Sequence, residues 1–360
     1  MKNRPVREIE IGGKLIGNEH PTYFIADIAS NHDGDLARAK ELIYLAARAG
    51  ADSVKFQHFS AETIVSEYGF RSMGGQLSHQ ASWEKPVFEV YKDASLNADW
   101  TEELCETCRK AGIVFMTSPY SMELAEMVKS YVAAYKIGSG DITWHEIIRF
   151  ISKQKKPVIL ATGAATREEV LRAVEIILEE NEQIVLMQCN TNYTGSLDNF
   201  KYVNLRVLNT YKEMFGDIIL GLSDHTPGYS IVLGAVAMGA RVVEKHFTDN
   251  TNRTGPDHRF SMTPQDWKEM VEATRMLESA MGDGVKKIEE NEKDSSIVQK
   301  RALRFVKDFE KGHILRPEDL FPLRPIPSDG LPPYRINDVV GKELIRNVAA
   351  GAHICLEDIK

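Results

Sequence analysis

The chain has 360 residues, of which 43% are hydrophobic and 27% are charged, and its formal net charge is −8 at pH 7. This composition supports a large hydrophobic core, while the negative charge disfavours binding to nucleic acid or to an anionic membrane surface. No apolar run has the length of a membrane span, the first residues lack a signal-peptide pattern, and four cysteines are too few for a disulfide framework. We therefore expect a cytoplasmic protein that binds neither nucleic acid nor membrane.

Eight short apolar runs alternate with stretches of helical periodicity between residues 23 and 247. The runs predict strands, because they are rich in β-branched residues and end in turn signals. The predicted strands cover residues 23–29, 53–59, 113–118, 134–141, 157–163, 184–189, 218–225 and 242–247. A polar lead-in precedes the first strand. Residues 60–97 form a long insertion after the second strand, and loops of that length usually carry function.

Eight strands that alternate with helices are what a (β/α)8 TIM barrel requires, and this is the fold class that we predict. An open doubly wound sheet is the alternative, but no glycine-rich dinucleotide fingerprint follows the first strand. From about residue 281 the sequence becomes highly charged, and short strand-like pieces, six prolines and turn signals follow. We predict a barrel over residues 1–285, a linker over 286–300 and a small β-rich domain over 301–360.

Two histidines stand at the exits of the last two predicted strands. The carboxyl ends of neighbouring parallel strands open on one crevice, so His225 and His246 are expected to face each other there, with Ser223, Glu244 and Asp257 close by. Two imidazoles surrounded by oxygen groups can hold a divalent metal ion and leave coordination positions free. The alternative is that backbone or carboxylate groups satisfy both histidines.

Two lysines, Lys55 and Lys136, are predicted at the ends of different strands, beside small hydroxyl residues and glycines. Each lysine offers a point charge, and the glycines let the backbone approach a ligand, so this arrangement favours a phosphorylated ligand over a structural ion pair. A competing interpretation is a Schiff base, because a desolvated lysine at a barrel end can act as a nucleophile. The protein would then be a metal-independent aldolase.

Six motifs occur in a characteristic order along the chain. They read IADIASNHDG at 25–34, VKFQ at 54–57, YKIGSG at 135–140, GLSDHT at 221–226, EKHFTD at 244–249 and GPD at 255–257. In sequence and order they resemble those of the N-acetylneuraminate (sialic acid) synthases, and the resemblance extends to a C-terminal antifreeze-like (SAF) domain. It implies a transferase that condenses phosphoenolpyruvate with an open-chain N-acetylated hexose such as N-acetylmannosamine. The products would be a nine-carbon 2-keto-3-deoxy sugar acid and phosphate.

The resemblance also implies a role for each matching residue. The metal ligands would be His225 and His246, with Mn2+ as the usual ion, which would polarise the sugar aldehyde and position the attacking water. The substrate-binding residues implied in this way are Lys55, Ser118, Lys136, Ser139, Tyr193, Ser223, Asp257 and Arg324, of which Ser118 stands at the position of a family threonine. The matching catalytic residues are Asp27, Gln57, Asp141 and Glu244. Since the family's SAF arginine reaches the N-acetyl group from the partner subunit, Arg324 implies a domain-swapped homodimer.

Four positions depart from the family pattern and concern the acceptor sugar. Asp27 and Asp141 stand where sialic acid synthases usually carry Glu, so each carboxylate is withdrawn by one methylene. Ala161 replaces a common phosphate-binding serine, and Thr191 replaces an asparagine. The sugar is therefore open between N-acetylmannosamine and the precursors of legionaminic, pseudaminic and spore-coat sugar acids. A shortened Asp27 would make room for a bulkier or modified C4 or C6 position.

A protein of another class is also compatible with the sequence. In that alternative the barrel is a non-catalytic scaffold, and the C-terminal module binds a glycan or a partner. Buried lysines of like charge argue against it, because a scaffold has no need of them.

Overall fold

The structure is a computed structural model that describes residues 3–360. It divides into two compact units, one that ends at Gly282 and one over Asp283–Lys360. The strands of the first unit are β1 (Glu8–Ile11), β2 (Lys14–Gly17), β3 (Tyr23–Asp27), β4 (Ser53–His58), β5 (Val114–Pro119), β6 (Tyr135–Ile137), β7 (Val158–Ala161), β8 (Ile184–Cys189), β9 (Ile219–Asp224) and β10 (Ala240–His246). Strands β3 to β10 form a closed parallel barrel in chain order, so the predicted fold class is confirmed.

Helices connect the strands of the barrel. They are α1 (Leu36–Arg48), α2 (Ala61–Ile64), α3 (Glu67–Ser72), α4 (Val87–Ala94), α5 (Thr101–Ala111), α6 (Met122–Met127), α7 (His145–Ser152), α8 (Arg167–Glu180), α9 (Val207–Phe215), α10 (Ser230–Ala237) and α11 (Pro264–Met281). Several begin at caps that the sequence supplies, such as the reciprocal hydrogen bonds of Thr166 and Glu169 at the start of α8. The insertion over residues 60–97 contains the short helices α2, α3 and α4. Among residues 3–360, no helix is long and apolar enough to cross a membrane.

The barrel strands alternate between two environments. Along β10, Val243 packs in the outer layer between barrel and helices, whereas Val242 packs inside the barrel near its amino end. The same alternation places Leu220 outside and Ile219 inside in β9. Because the side-chain period of a strand is two, every second residue of each strand points into the barrel. This rule determines which polar residues meet at the carboxyl end.

The residues before the barrel are not a polar lead-in, as the sequence pattern suggested, but a β-hairpin. Strands β1 and β2 pair in antiparallel register through a two-residue turn at Gly12 and Gly13, both with positive φ. The side chains of Ile9, Ile11 and Ile16 are buried against the inward-facing residues at the amino end of the barrel. The hairpin thus closes that end with apolar contacts. The alternating EIEI pattern of β1 is typical of a strand with one buried face, but the polar residues on either side make it hard to recognise.

The prediction of one strand over residues 134–141 is wrong for its second half. Strand β6 ends at Ile137, and Ser139–Asp141 form a 3-10 turn. The amide of Asp141 donates to the carbonyl of Gly138, so the backbone after β6 bonds locally and leaves the sheet. Ser139 and Asp141 are therefore presented on a turn above the strand.

The second unit is a small domain with its own core. It contains helix α12 (Lys293–Val298), which lies within the segment predicted as a linker, and an antiparallel pair of β11 (Ala302–Phe305) and β12 (Leu320–Leu323). Isolated bridges connect further extended pieces, as the prolines and turn signals led us to expect. The core of this unit consists of Leu303, Phe305, Phe309, Leu315, Leu320, Leu331, Val339, Leu344, Val348 and Ile354.

Candidate active site

The carboxyl end of the barrel carries a ring of inward-facing polar side chains. The alternation that buries apolar residues inside the amino end continues along each strand, but in most strands the last inward positions are polar. These positions are Asp27, Lys55, Gln57, Ser118, Lys136, Cys189, Ser223, Glu244 and His246. Most of the residues singled out from the sequence thus come together in one place.

Asp27 and Lys55 form a buried ion pair between the neighbouring strands β3 and β4 of this ring. The Lys55 Nζ lies 2.7 Å from Asp27 Oδ2, and both side chains are 2% exposed. Gln57 Nε2 donates to the same Oδ2 at 3.1 Å, and the backbone amide of Ala29 donates to Oδ1 at 3.0 Å. The Asp27 carboxylate is therefore largely engaged by its own chain, which agrees with its shorter reach than a Glu.

The charge state of Lys55 bears on the Schiff-base interpretation. Burial would lower the pKa of Lys55, but the nearby carboxylates of Asp27 and Glu244 outweigh burial and raise this pKa above its usual value. A nucleophilic lysine requires the neutral amine, whereas the environment of Lys55 stabilises the ammonium. The environment of Lys55 therefore argues against the Schiff-base interpretation for this residue.

Lys136 and Glu244 face each other across the barrel, because β6 lies opposite β10 in the closed sheet. Their charged atoms are 3.7 Å apart, and Ser223 Oγ donates to Glu244 Oε1 at 3.3 Å. The buried Ser118 Oγ and Glu244 Oε2 have no hydrogen-bond partner within residues 3–360. Since buried polar atoms are almost always hydrogen-bonded, these two atoms are available to a ligand.

The two histidines predicted to bind metal lie side by side. The ring centroids of His225 and His246 are 5.4 Å apart, and the ring of Tyr193 lies 4.3 Å from His225 and 6.1 Å from His246. His225 Nδ1 is 3.1 Å from the carbonyl oxygen of Asn190, which is the contact that fixes the tautomer of a metal-binding imidazole. His246 Nε2 lies 3.5 Å from Asp27 Oδ2.

The donor set around these rings fits a partly open metal site. His246 Nδ1 is buried and has no hydrogen-bond partner in the described part of the chain, so the pair retains unused ligand capacity. Within residues 3–360, no three His, Cys, Asp or Glu side chains converge to hold a metal ion. The protein thus offers two imidazoles, and a metal there would take its other ligands from water or substrate.

Ser139 and Asp141 extend the ring above β6. Ser139 Oγ accepts the backbone amide hydrogen of Gly163 at 2.9 Å, and a Cβ on Gly163 would lie 1.8 Å from Thr191 Oγ1. Glycine is therefore required for this close approach between the loops after β7 and β8. Burial raises the pKa of the Asp141 carboxyl to about 6, although Lys136 acts in the opposite direction.

Asp257 and Arg324 complete the predicted set in different ways. Asp257 Oδ2 accepts hydrogen bonds from the amide and the hydroxyl of Ser30, so it joins the loop after β10 to the loop after β3. Arg324 lies in the second unit, directly after β12, and its side chain is exposed. Its predicted role in substrate binding stays a prediction.

The sequence analysis missed several residues around the site. Cys189 is an inward-facing residue whose Sγ lies 4.0 Å from His225 Nδ1, and continuing the period of two from Val185 and Met187 would have found it. The ring of His79, from the insertion, lies 4.9 Å from the ring of Tyr193. His79 and Tyr193 line a cleft of about 1100 Å³ between the insertion and the loop after β10. No pattern in the sequence pairs residues so far apart.

Comparison with known proteins agrees with this geometry. The model of the NeuB family matches residues 42–286, and that of the SAF domain matches residues 300–360. The chain belongs to the NeuB family. It is 35% identical to the N,N'-diacetyllegionaminic acid synthase of Campylobacter jejuni over 330 residues, which cover 91% of this chain and 96% of that protein. It is 33% identical to the pseudaminic acid synthase of the same species over 345 residues, with 93% and 97% covered.

A solved structure shows the same architecture. The N-acetylneuraminic acid synthetase of Leptospira borgpetersenii, in complex with citrate, superposes with a TM-score of 0.69 at 28% identity, covering 81% of this chain and 96% of that one. The resemblance to sialic acid synthases is therefore confirmed at the level of the family, and so is the SAF domain. Family membership also decides between an enzyme of the nonulosonic acid synthase type and a non-catalytic scaffold, in favour of the enzyme.

Proposed function

We propose that this protein condenses phosphoenolpyruvate with the open-chain form of an N-acetylated hexose, giving a nine-carbon 2-keto-3-deoxy sugar acid and phosphate. The observation that carries the proposal is the polar ring, in which two buried lysines, Lys55 and Lys136, stand beside the imidazoles of His225 and His246. Both lysines lie near buried carboxylates, but Ser118 Oγ and Glu244 Oε2 in the same ring have no hydrogen-bond partner within residues 3–360, and such buried atoms support a polar ligand at this end of the barrel.

In this reaction, C3 of phosphoenolpyruvate bonds to the aldehyde carbon, a water oxygen adds to C2, and phosphate leaves. Lys55, Lys136 and Ser139 would hold the phosphate and carboxylate groups of phosphoenolpyruvate as charge-assisted partners. Ser118 and Ser223 would donate hydrogen bonds to the same ligand. With a pKa of about 6, Asp141 exchanges its proton close to neutral pH and could supply one to the oxygen of the new alcohol.

His225 and His246 would hold a divalent metal ion, for which we propose Mn2+. When bound, such an ion supplies Lewis acidity toward the sugar aldehyde. Glu244, Gln57 and Asp257 would surround this position, and the contact with the Asn190 carbonyl would keep the His225 ring in one tautomer. We further propose that the protein acts in the cytoplasm as a domain-swapped homodimer, in which Arg324 of one subunit reaches the N-acetyl group bound by the other.

One observation favours an acceptor with a second acetamido group over N-acetylmannosamine. Asp27 Oδ2 is shared by Lys55 and Gln57, so this carboxylate has little capacity left for a sugar hydroxyl. The cleft lined by Tyr193 also includes Trp83, Val90 and Pro256, whose apolar side chains suit the methyl groups of acetamido substituents. We therefore propose a 6-deoxy-diacetamido hexose as the acceptor and N-acetylmannosamine as the second candidate.

The test is phosphate release from phosphoenolpyruvate in the presence of Mn2+, with N-acetylmannosamine, with 6-deoxy-diacetamido hexoses and without sugar. We expect release that depends on sugar and is strongest with a diacetamido sugar, and a shift toward N-acetylmannosamine in Asp27→Glu. His225→Ala should abolish release, while His20→Ala, a half-buried histidine that pairs with Glu8 on the hairpin, should not. Sugar-independent chemistry on pyruvate, trapped on a lysine by borohydride, would replace this proposal with a Schiff-base aldolase.

A further inference from the structure

The two proposed metal-binding histidines follow a pair of residues that face away from the site. Strands β9 and β10 pair in parallel, with Ser223 opposite Glu244 and Asp224 opposite Lys245. Because the side chains alternate, Ser223 and Glu244 point into the barrel, and Asp224 and Lys245 point out toward the helices. Along the two strands, the inward-facing pair of Ser223 and Glu244 comes first and the outward-facing ion pair of Asp224 and Lys245 comes next. The two imidazoles, which face inward again, follow directly after it.

This ion pair is hydrogen-bonded to the residues on either side of His225 in the chain. Lys245 Nζ donates to Asp224 Oδ2 at 2.5 Å and to the carbonyl oxygen of Thr226 at 2.7 Å. Asp224 Oδ1 accepts hydrogen bonds from the amide and the hydroxyl of Thr226, at 3.0 and 2.9 Å. Asp224, Lys245 and Thr226 are at most 4% exposed. The residue before His225 and the residue after it are thus fixed to one buried ammonium group.

That same ammonium group belongs to the residue next to His246. One side chain therefore ties together the backbone segments on which both imidazoles stand. A buried ion pair is weak evidence for stability as such, because apolar replacements of similar volume are often neutral or stabilising. The geometry here gives the pair a different use, since it fixes two positions that must be held relative to each other.

We propose that Asp224 and Lys245 are positioning residues that hold His225 and His246 at the separation needed to bind one metal ion. The proposal rests on the metal site of the proposed function. Both side chains point away from the site, so neither would contact the metal or the substrate. Their effect is to keep the turn over residues 224–226 in register with the end of β10, so that both rings are in place before the ion arrives.

The decisive variant is the double substitution Asp224→Asn with Lys245→Met. Lys245→Met alone would leave a buried unpaired carboxylate and could unfold the protein. In the double variant the Asn side chain retains an acceptor for Thr226, and only the tie to β10 is lost. Lys245→Arg is the conservative counterpart, because a guanidinium can donate to both the carboxylate and the carbonyl. Thr117→Val is the control. It removes a buried, outward-facing hydroxyl on β5 that donates to the carbonyl oxygen of Phe56 on β4, and neither strand carries a proposed metal ligand.

The measurements are Mn2+ binding to the chelator-treated full-length protein by calorimetry, without substrate, and urea unfolding of the metal-free protein. We expect the double variant to bind Mn2+ about 10- to 100-fold more weakly than the parent, as for groups that orient metal ligands. Lys245→Arg should bind close to the parent, and Thr117→Val should lose stability but not affinity. A double variant with parental Mn2+ affinity would overturn the proposal and leave the pair a purely structural one.

A second readout separates this proposal from the metal assignment itself. Crystal structures of the metal-free parent and double variant report the separation of the two rings, which is 5.4 Å here. If the parent binds no Mn2+ but the rings separate in the variant, the metal assignment fails and the positioning role is supported. If the rings keep their separation in the variant, the positioning role is wrong whatever the metal does.

Discussion

The two ends of the barrel are built from the same eight strands, but they differ in the side chains that face the inside of the barrel. At the amino end the inward residues are apolar, and the β1–β2 hairpin covers them with Ile9, Ile11 and Ile16. At the carboxyl end the inward residues are charged or polar, with ion pairs of 2% to 6% exposure such as Asp27–Lys55 and Lys136–Glu244. Along β10, for example, the inward residues change from the apolar Val242 to the charged Glu244 within one repeat of the strand.

This difference separates stability from function within one fold. The amino end gains free energy from apolar burial, at about 25 cal/mol per Å² removed from water. At the carboxyl end, desolvated charges and unpaired buried atoms such as Ser118 Oγ and Glu244 Oε2 are destabilising and offset part of that gain. Substitutions at the amino end should therefore change stability alone, whereas the removal of a whole ion pair at the carboxyl end should change mainly activity, and the following experiments test this division.

The largest effect is expected from Lys55→Met. The substitution leaves the Asp27 carboxylate buried without its cation, so the free energy of unfolding should fall by about 3–5 kcal/mol at pH 7. Phosphate release should fall by about 100- to 1000-fold or more, because a charge aimed at the anion is lost. Urea unfolding and the release assay measure the two effects.

Two companion variants sharpen this test. Asp27→Asn combined with Lys55→Met removes both charges, so it should regain most of the lost stability and none of the activity. Lys14→Met, on the hairpin, breaks the pair of Lys14 with Asp52, which precedes β4; because the lysine side chain is 55% exposed, stability should change by about 1 kcal/mol or less. If Lys55→Met is as stable as the parent, the carboxyl end carries no electrostatic cost, and the comparison between the two ends fails.

The second effect is expected at the opposite end, from Ile11→Ala. Ile11 is fully buried beneath the barrel, so the cavity and the lost transfer free energy should cost about 2–4 kcal/mol of stability. The turnover number should remain that of the parent under conditions where the variant is folded. Leu15→Ala on the same hairpin is the matched control, because Leu15 is 48% exposed and should change stability by about 0.5 kcal/mol or less. A drop in turnover by Ile11→Ala at full folding would show that the two ends are coupled.

The sequence alone predicts the carboxyl end better than the amino end. The strands are identified by apolar runs, and the period of two then assigns inward positions, so Asp27, Lys55, Glu244 and His246 are found together. The sequence analysis did not predict the hairpin, because Glu8 and Glu10 make its first strand look polar and only Ile9 and Ile11 of that strand face the core. One-sided burial of a four-residue strand is a weak signal.

Other features depend on distances that no local pattern contains. The contact of His79 with Tyr193 joins the insertion to the loop after β8, and it depends on how the short helices α2 to α4 pack. The Asn190 carbonyl that fixes His225 is a backbone group and therefore has no sequence signature. The turn at Ser139–Asp141 reads as strand, because the backbone bonds that end β6 at Ile137 are not visible in residue types.

The smallest effect concerns Asp141, whose pKa burial raises from 3.8 to about 6. The folded protein thus binds this proton more tightly than the unfolded chain, and stability contributed by the protonated carboxyl is lost as pH rises from about 4 to about 6. Asp141→Asn has no proton to lose there. Relative to the parent, its free energy of unfolding should therefore increase by about 1–3 kcal/mol between pH 4 and pH 7.

The measurement is urea unfolding of the parent and Asp141→Asn at several pH values across that range, using the difference between them so that other titrating groups cancel. Asp198→Asn is the control, because the Asp198 side chain is 75% exposed and its difference from the parent should not follow this course. Parallel curves for the parent and Asp141→Asn would mean that the carboxyl ionises without cost. Asp141 would then not belong with the strained charges of the carboxyl end, and its proposed part in proton transfer would lose its physical basis. If the difference in unfolding free energy between the two proteins instead develops between pH 4 and 6, ionisation of Asp141 destabilises the folded protein. This cost would then arise at the turn that also carries Ser139, a proposed ligand of the phosphate group.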